Sequence, residues 1–134
     1  MDAATWDVIL WILRALVALV FVGMGVNHFV PTSVRTMAAM IPPALRSSSP
    51  ALSPRVLVWF TGVCEIAGGL GLLWPPTRVA AGIALVVFLA AVFPANAYAA
   101  RHRDRFGALA IPFWPRLVGQ IVLAALILVV ALLP

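Results

Sequence analysis

Charge is what this sequence has least of. Charged residues make up 10% of its 134 residues, only four of them are acidic, and there is no lysine. A water-soluble domain carries roughly 25% charged and about 45–50% apolar residues. Here 64% are hydrophobic and the mean hydropathy is +1.11, which excludes an ordinary soluble domain. Cysteine is nearly absent. Cys64 alone excludes an intrachain disulfide and a C-x-x-C redox pair, and a lone thiol in an apolar run reads as a small packing residue. Histidine is as scarce: His28 and His102 do not make a metal-ligand set, so no metal site is expected. No phosphate loop, nucleophile elbow or haem-ligand pair is present. No second carboxylate stands near Glu65 for paired-carboxylate hydrolysis. No catalytic residue is assigned.

What is present is long apolar runs. Four reach the length that crosses a bilayer, at about 6–29, 56–74, 79–100 and 112–133. They consume most of the chain, so residues 1–134 read as one membrane domain. The first run begins with Asp2 and Asp7 rather than a basic region and has no A-x-A site, so it is expected as a mature helix and not a signal peptide. The formal charge of +5 comes from nine arginines, mostly between the runs. There it is a topology signal rather than a nucleic-acid footprint. The arginine bias places loops 30–55 and 101–111 in the cytoplasm and both termini outside. The short connections favour antiparallel neighbours. The expected fold is all-α, an integral membrane four-helix up-down bundle. All-Arg, Ala-rich usage points to a bacterial source and an inner-membrane location.

Finer signals accompany the spans. Trp6, Trp11, Trp59, Trp74 and Trp114 suit interfacial belts. Gly23, Gly25, Gly62, Gly68, Gly69, Gly71 and Gly119 suit close helix packing. In the first loop Val34, Met37, Ala38 and Ile41 recur at i, i+3, i+4, i+7, which predicts a short amphipathic helix in the cytoplasmic interface. Thr32 or Ser33 would cap it and Pro42 would stop it. An irregular loop is the alternative.

The run "FTGVCEIAGGLGLL" at 60–73 places Glu65 in the middle of apolar residues. A charge at a helix centre costs about 2.5–3.5 kcal/mol on insertion scales, so it should face inward and meet a partner. Counting about 1.5 Å per residue from Trp6 and Trp74 brings Arg14 and Glu65 to nearly equal depth, which predicts an Arg14–Glu65 ion pair. Gln120 enters from the other end to a neighbouring depth. His28, Asn96 and Arg116 lie lower, near the cytoplasmic helix ends. The six form a candidate polar column. It is either a ligand-binding site or interhelical glue.

Taken together, "GMGVNHFVP" at 23–31, "MIPP" at 40–43, the 60–73 run, "VFPANAYAA" at 92–100 and "RLVGQ" at 116–120 resemble the DoxX-like family of small bacterial membrane proteins. The resemblance implies a four-helix membrane bundle with His28, Glu65, Asn96, Gln120 and Arg14 as polar signature positions. It also implies a link to a thiosulfate–quinone oxidoreductase subunit, to redox-stress complexes and to assembly roles. The leading expectation is an accessory or anchor subunit. It would bind a quinone or lipid-like amphiphile, with Arg14, Glu65 and Gln120 on the head group and His28, Asn96 and Arg116 at the entrance, and serve a redox-enzyme or other protein partner. The alternatives are an assembly factor whose polar residues are structural, and a small transporter or proton pathway.

Overall fold

The computed structural model describes residues 2–134. The chain is all-α, 85% helical and without strands among those residues. Helix α1 spans Ala3–Asn27, α2 Pro31–Met40, α3 Pro54–Gly71, α4 Pro75–Arg101, α5 Arg103–Phe106 and α6 Phe113–Leu132. Single 3-10 turns at Pro43–Leu45, Pro50–Leu52 and Gly107–Leu109 fill the loops.

Proline sets most of the starts. Pro31, Pro54 and Pro75 each stand at the first helical position, where a missing N–H costs nothing and the fixed φ is already helical. Asp2 opens α1 instead, accepting from the Thr5 N–H at 2.7 Å. The Thr5 hydroxyl and N–H hold the Asp2 carboxyl below the usual carboxylate range.

The amphipathic helix expected in the first loop is present as α2, with Val34 and Met40 buried. Its start differs from expectation. Pro31 begins the helix one residue ahead of Thr32, and Val30 takes the cap position with no side-chain bond. Ser33 donates instead to Asn27 Oδ1 at 2.8 Å. The other end behaves as proline chemistry dictates: Ile41, before Pro42, is extended. Arg46 covers the freed carbonyls of Ala39 and Ile41 at 3.0 and 2.9 Å.

Three stretches are long and apolar enough to cross a membrane: Ala3–Asn27, Pro75–Arg101 and Arg103–Leu132. The fourth expected span, at 56–74, is not among them. Its helix, α3, has 18 residues that include Arg55, Glu65 and four glycines, which dilute its hydropathy. No more than a third of any of the three apolar windows is buried. Large side chains such as Leu19, Val20, Val87, Ile121 and Val122 stand in the open. A water-soluble monomer does not leave so much contiguous apolar surface uncovered.

Helix α3 packs between α1 and α4, and α4 packs along α6. The main core joins Val17 and Phe21 of α1, Leu85 and Leu89 of α4, and Ile127, Val130 and Ala131 of α6, with Leu72 just past α3. A smaller core gathers Met40, Ala99, Phe106 and Ala110. The α1–α3 contact is set at one crossing. A Cβ added to Gly25 would lie 2.7 Å from the Gly62 carbonyl oxygen, and one added to Gly62 would lie 2.9 Å from that of Gly25. Only hydrogen side chains allow the backbones this close.

Candidate functional site

The glycine crossing places the chemistry. It sets His28, at the end of α1, against the α3 residues Val58, Thr61 and Glu65. His28 Nδ1 lies 3.0 Å from the Val58 carbonyl oxygen and 3.0 Å from Thr61 Oγ1. The Thr61 hydroxyl itself donates to Val58 O at 2.8 Å. A carbonyl only accepts, so Nδ1 carries the hydrogen. The other ring nitrogen, Nε2, faces Glu65 Oε2 at 3.3 Å. This is a close contact between the two side chains. Its alignment is too poor for a hydrogen bond. Oε2 is buried with no hydrogen-bond partner among the described residues, and Glu65 as a whole is 6% exposed.

That unpartnered oxygen belongs to a residue at the meeting point of two cavities. One, of about 280 Å³, lies between α1, α4 and α6. The other, of about 400 Å³, lies under α2, between α1, α3 and α4. Glu65, Asn96 and Arg116 line both, along with Met24, Phe88 and Val92. Both cavities are largely apolar and open to the surface. Arg116 makes no ion pair with Glu65 within 4 Å, and neither Arg116 nor Asn96 spends its side chain on a hydrogen bond among the described residues. A carboxyl, a guanidinium and an amide therefore converge on shared space. Few polar groups in an apolar cleft is the usual composition of a small-molecule site.

Gln120 lines the smaller cavity and donates through Nε2 to the Leu89 carbonyl at 2.9 Å, five residues before Pro94 in α4. His28 lines the larger.

Arg14 is elsewhere, and the predicted Arg14–Glu65 ion pair does not form. Arg14 is 2% exposed. It donates to the carbonyls of Val130 at 2.8 Å, Leu133 at 2.7 Å and Pro134 at 3.1 Å. It thus caps the end of α6, where a cation meets both unsatisfied carbonyls and the negative end of the helix dipole. It lines neither cavity. The depth count failed because it set Trp6 level with Trp74. Gly69 actually lies against Ala18, and Glu65 against Gly25. Continued upward, that register puts Trp74 level with the Arg14–Ala15 turn, well short of Trp6. Glu65 sits about 16 Å further along α1 than Arg14.

Thr61 and the Val58 carbonyl were not among the sequence candidates. Thr61 shares the helix face of Glu65 one turn away, a signal that was available. The methionines Met24, Met37 and Met40 and the prolines Pro42 and Pro94, which also line the cavities, carry no such signal. Among the described residues no group of three His, Cys, Asp or Glu is placed to hold a metal ion.

A sequence model of one protein family matches residues 17–131, and that family is described as a domain of unknown function, DUF8561. No curated protein and no solved structure matches the chain.

Proposed function

The chain belongs to the DUF8561 family, and within that family we propose that it is an integral protein of the bacterial inner membrane that binds a quinone or lipid-like amphiphile. On this reading α1, α3, α4 and α6 cross the bilayer as an up-down four-helix bundle of the DoxX-like kind. Helix α3 rides with its more apolar neighbours. The polar head rests among Glu65, Asn96 and Arg116, with His28 and Gln120 at the edges, and the protein acts as an accessory or anchor subunit for a partner. The termini face outward. Six loop and helix-end arginines (Arg35, Arg46, Arg55, Arg101, Arg103 and Arg105) face the cytoplasm, while Arg116 leaves that set for the cavity.

One observation carries the ligand reading: a buried carboxyl oxygen without a hydrogen-bond partner, on a residue lining two open apolar cavities. A carboxyl in such a place is costly unless something completes it, and an ionisable residue in an apolar bundle is a functional position by default. The second reading, an assembly factor with structural polar residues, draws support from Arg14 and from Gln120, whose side-chain donors are spent on backbone carbonyls.

Native mass spectrometry with lipid extraction, wild type beside Glu65→Gln, separates the two. The expected result is a defined quinone or lipid retained by wild type and at least tenfold depleted in the variant. Empty wild-type protein, with Glu65→Gln altering only thermal stability, would overturn the ligand reading in favour of the structural one.

A further inference from the structure

The smaller cavity says how a ligand would lie, and this inference rests on the amphiphile reading above. Helices α1 and α6 are joined where Arg14 meets Val130 and the end of α6. Toward the other end of the molecule they part, and the 280 Å³ cavity occupies the gap. Its walls are Val20 and Met24 of α1 and Gly119 and Leu123 of α6. Val20 is 53% and Met24 43% exposed, and a Cβ on Gly119 would meet nothing within 4 Å. The cleft therefore opens sideways, along the flank of the helices. In a bilayer that flank faces acyl chains. The cleft's volume of about 280 Å³ lies just under the usual range of ligand sites, about 300–1,000 Å³, which suits one chain rather than two.

The inner end of the cleft defines the head group. Glu65 brings a carboxyl whose Oε2 is unpartnered. Arg116 and Asn96 bring donors, and no ion pair joins Glu65 to Arg116. With Glu65 ionised and His28, 3.3 Å from it, neutral, one acidic and one basic group face the same space and leave it near electrical balance. An anionic head would satisfy Arg116 and stand against Glu65. A cationic head would do the reverse. Either leaves a buried charge opposed, which is expensive away from water. A head carrying hydrogen-bond donors and acceptors but no net charge satisfies both groups.

We infer that the site takes a single-tailed amphiphile with an uncharged, hydrogen-bonding head, which enters sideways between α1 and α6 and brings its head to Glu65, Asn96 and Arg116. The tail stays in the cleft beside Gly119.

The test uses two probes that differ only in a phosphate, 1-oleoylglycerol and 1-oleoylglycerol 3-phosphate. Binding to the full-length protein in neutral nanodiscs is read by native mass spectrometry. Four proteins are compared: wild type, Glu65→Gln, Gly119→Trp and Gly23→Trp. Gly119→Trp fills the cleft from a position with free space. Gly23→Trp is the control, equally open but lining no cavity. Only binding that Gly119→Trp removes is counted, which discards phosphate held by surface arginines. The expected result is at least tenfold tighter binding of the uncharged probe to wild type. Glu65→Gln should shrink that preference by at least threefold. Gly119→Trp should abolish binding, and Gly23→Trp should leave it intact. Equal or tighter cleft binding of the phosphate form overturns the uncharged head, and unchanged binding in Gly119→Trp overturns the sideways route. In both cases the amphiphile reading survives. If neither probe binds wild type, the inference falls, and lipid extraction of the same preparation decides whether that reading falls with it.

Discussion

Arg14 is the side chain whose role changed most between sequence and structure. It has three backbone acceptors on the end of α6 and no acidic side chain. Hydrogen bonds to charged groups contribute about 1.5–3 kcal/mol each, and these three share one guanidinium. Arg14→Met should therefore lower unfolding free energy by about 2–4 kcal/mol, measured by thermal or denaturant unfolding in detergent. The same measurement on Arg14→Met with Glu65→Gln tests the lost ion pair. The structure separates the two residues by more than two helical turns, so their effects should add to within about 0.5 kcal/mol. A larger coupling would mean that they touch after all. The polar residues themselves were legible, because charge and amide groups are rare enough in this chain for each to stand out. Their pairing was not. It depends on how far one helix slides along another, and Trp6 and Trp74 gave a false common level.

That sliding is fixed by glycine. At the α1–α3 crossing a Cβ on Gly62 would stand 2.6 Å from His28 Cβ as well as 2.9 Å from the Gly25 oxygen. Backbone cannot step aside as a long side chain can. Gly62→Ala gains about 0.5–1 kcal/mol of helix propensity but should still destabilise by about 1–3 kcal/mol through overpacking. It should also push His28 away from Glu65. Gly23→Ala, with nothing near its Cβ, should be neutral or stabilising in the same unfolding assay. A result in which both behave alike would remove the crossing as the determinant of register. The helices themselves were readable from apolar runs and periods. That Pro31, Pro54 and Pro75 open them was not read, and of the stripe predicted for α2 Val34 is buried while Ile41 lies just past the helix end and Met40 takes the other buried place. The cap of α2 was misread because proline at the first helical position outranked the hydroxyls that follow it. The small residues of α3 were legible as packing positions. Their other consequence was not foreseen: together with Arg55 and Glu65 they keep α3 out of the set of helices apolar enough to cross a membrane.

For the whole molecule, the proposed orientation predicts a labelling pattern. Cys64 is the chain's one cysteine, so a Cys64→Ser background is silent toward maleimides. In that background Ala4→Cys should react with a membrane-impermeant maleimide on intact cells, and Ser48→Cys only after the cells are opened. Both positions are exposed. The reverse pattern would invert the topology, and equal labelling of both in intact cells would deny that the membrane separates them. The global fold class was the easiest thing to read, since apolar runs and helical periods are local properties. The two cavities were the hardest, because empty space arises from what neighbouring helices fail to touch, and no residue type records it.

The Arg14 clamp also bears on the order of assembly. Its acceptor at Val130 lies 116 residues downstream. A ribosome adding roughly 5–20 residues per second would need several seconds or more between making the guanidinium and making the carbonyl that receives it. In the proposed membrane setting, Arg14 spends that interval without its final acceptors, although α3, made earlier, already packs along the first helix. On that reading a nascent chain stalled before α6 would display a bare cation within the bilayer, an expensive state until the α6 carbonyls arrive.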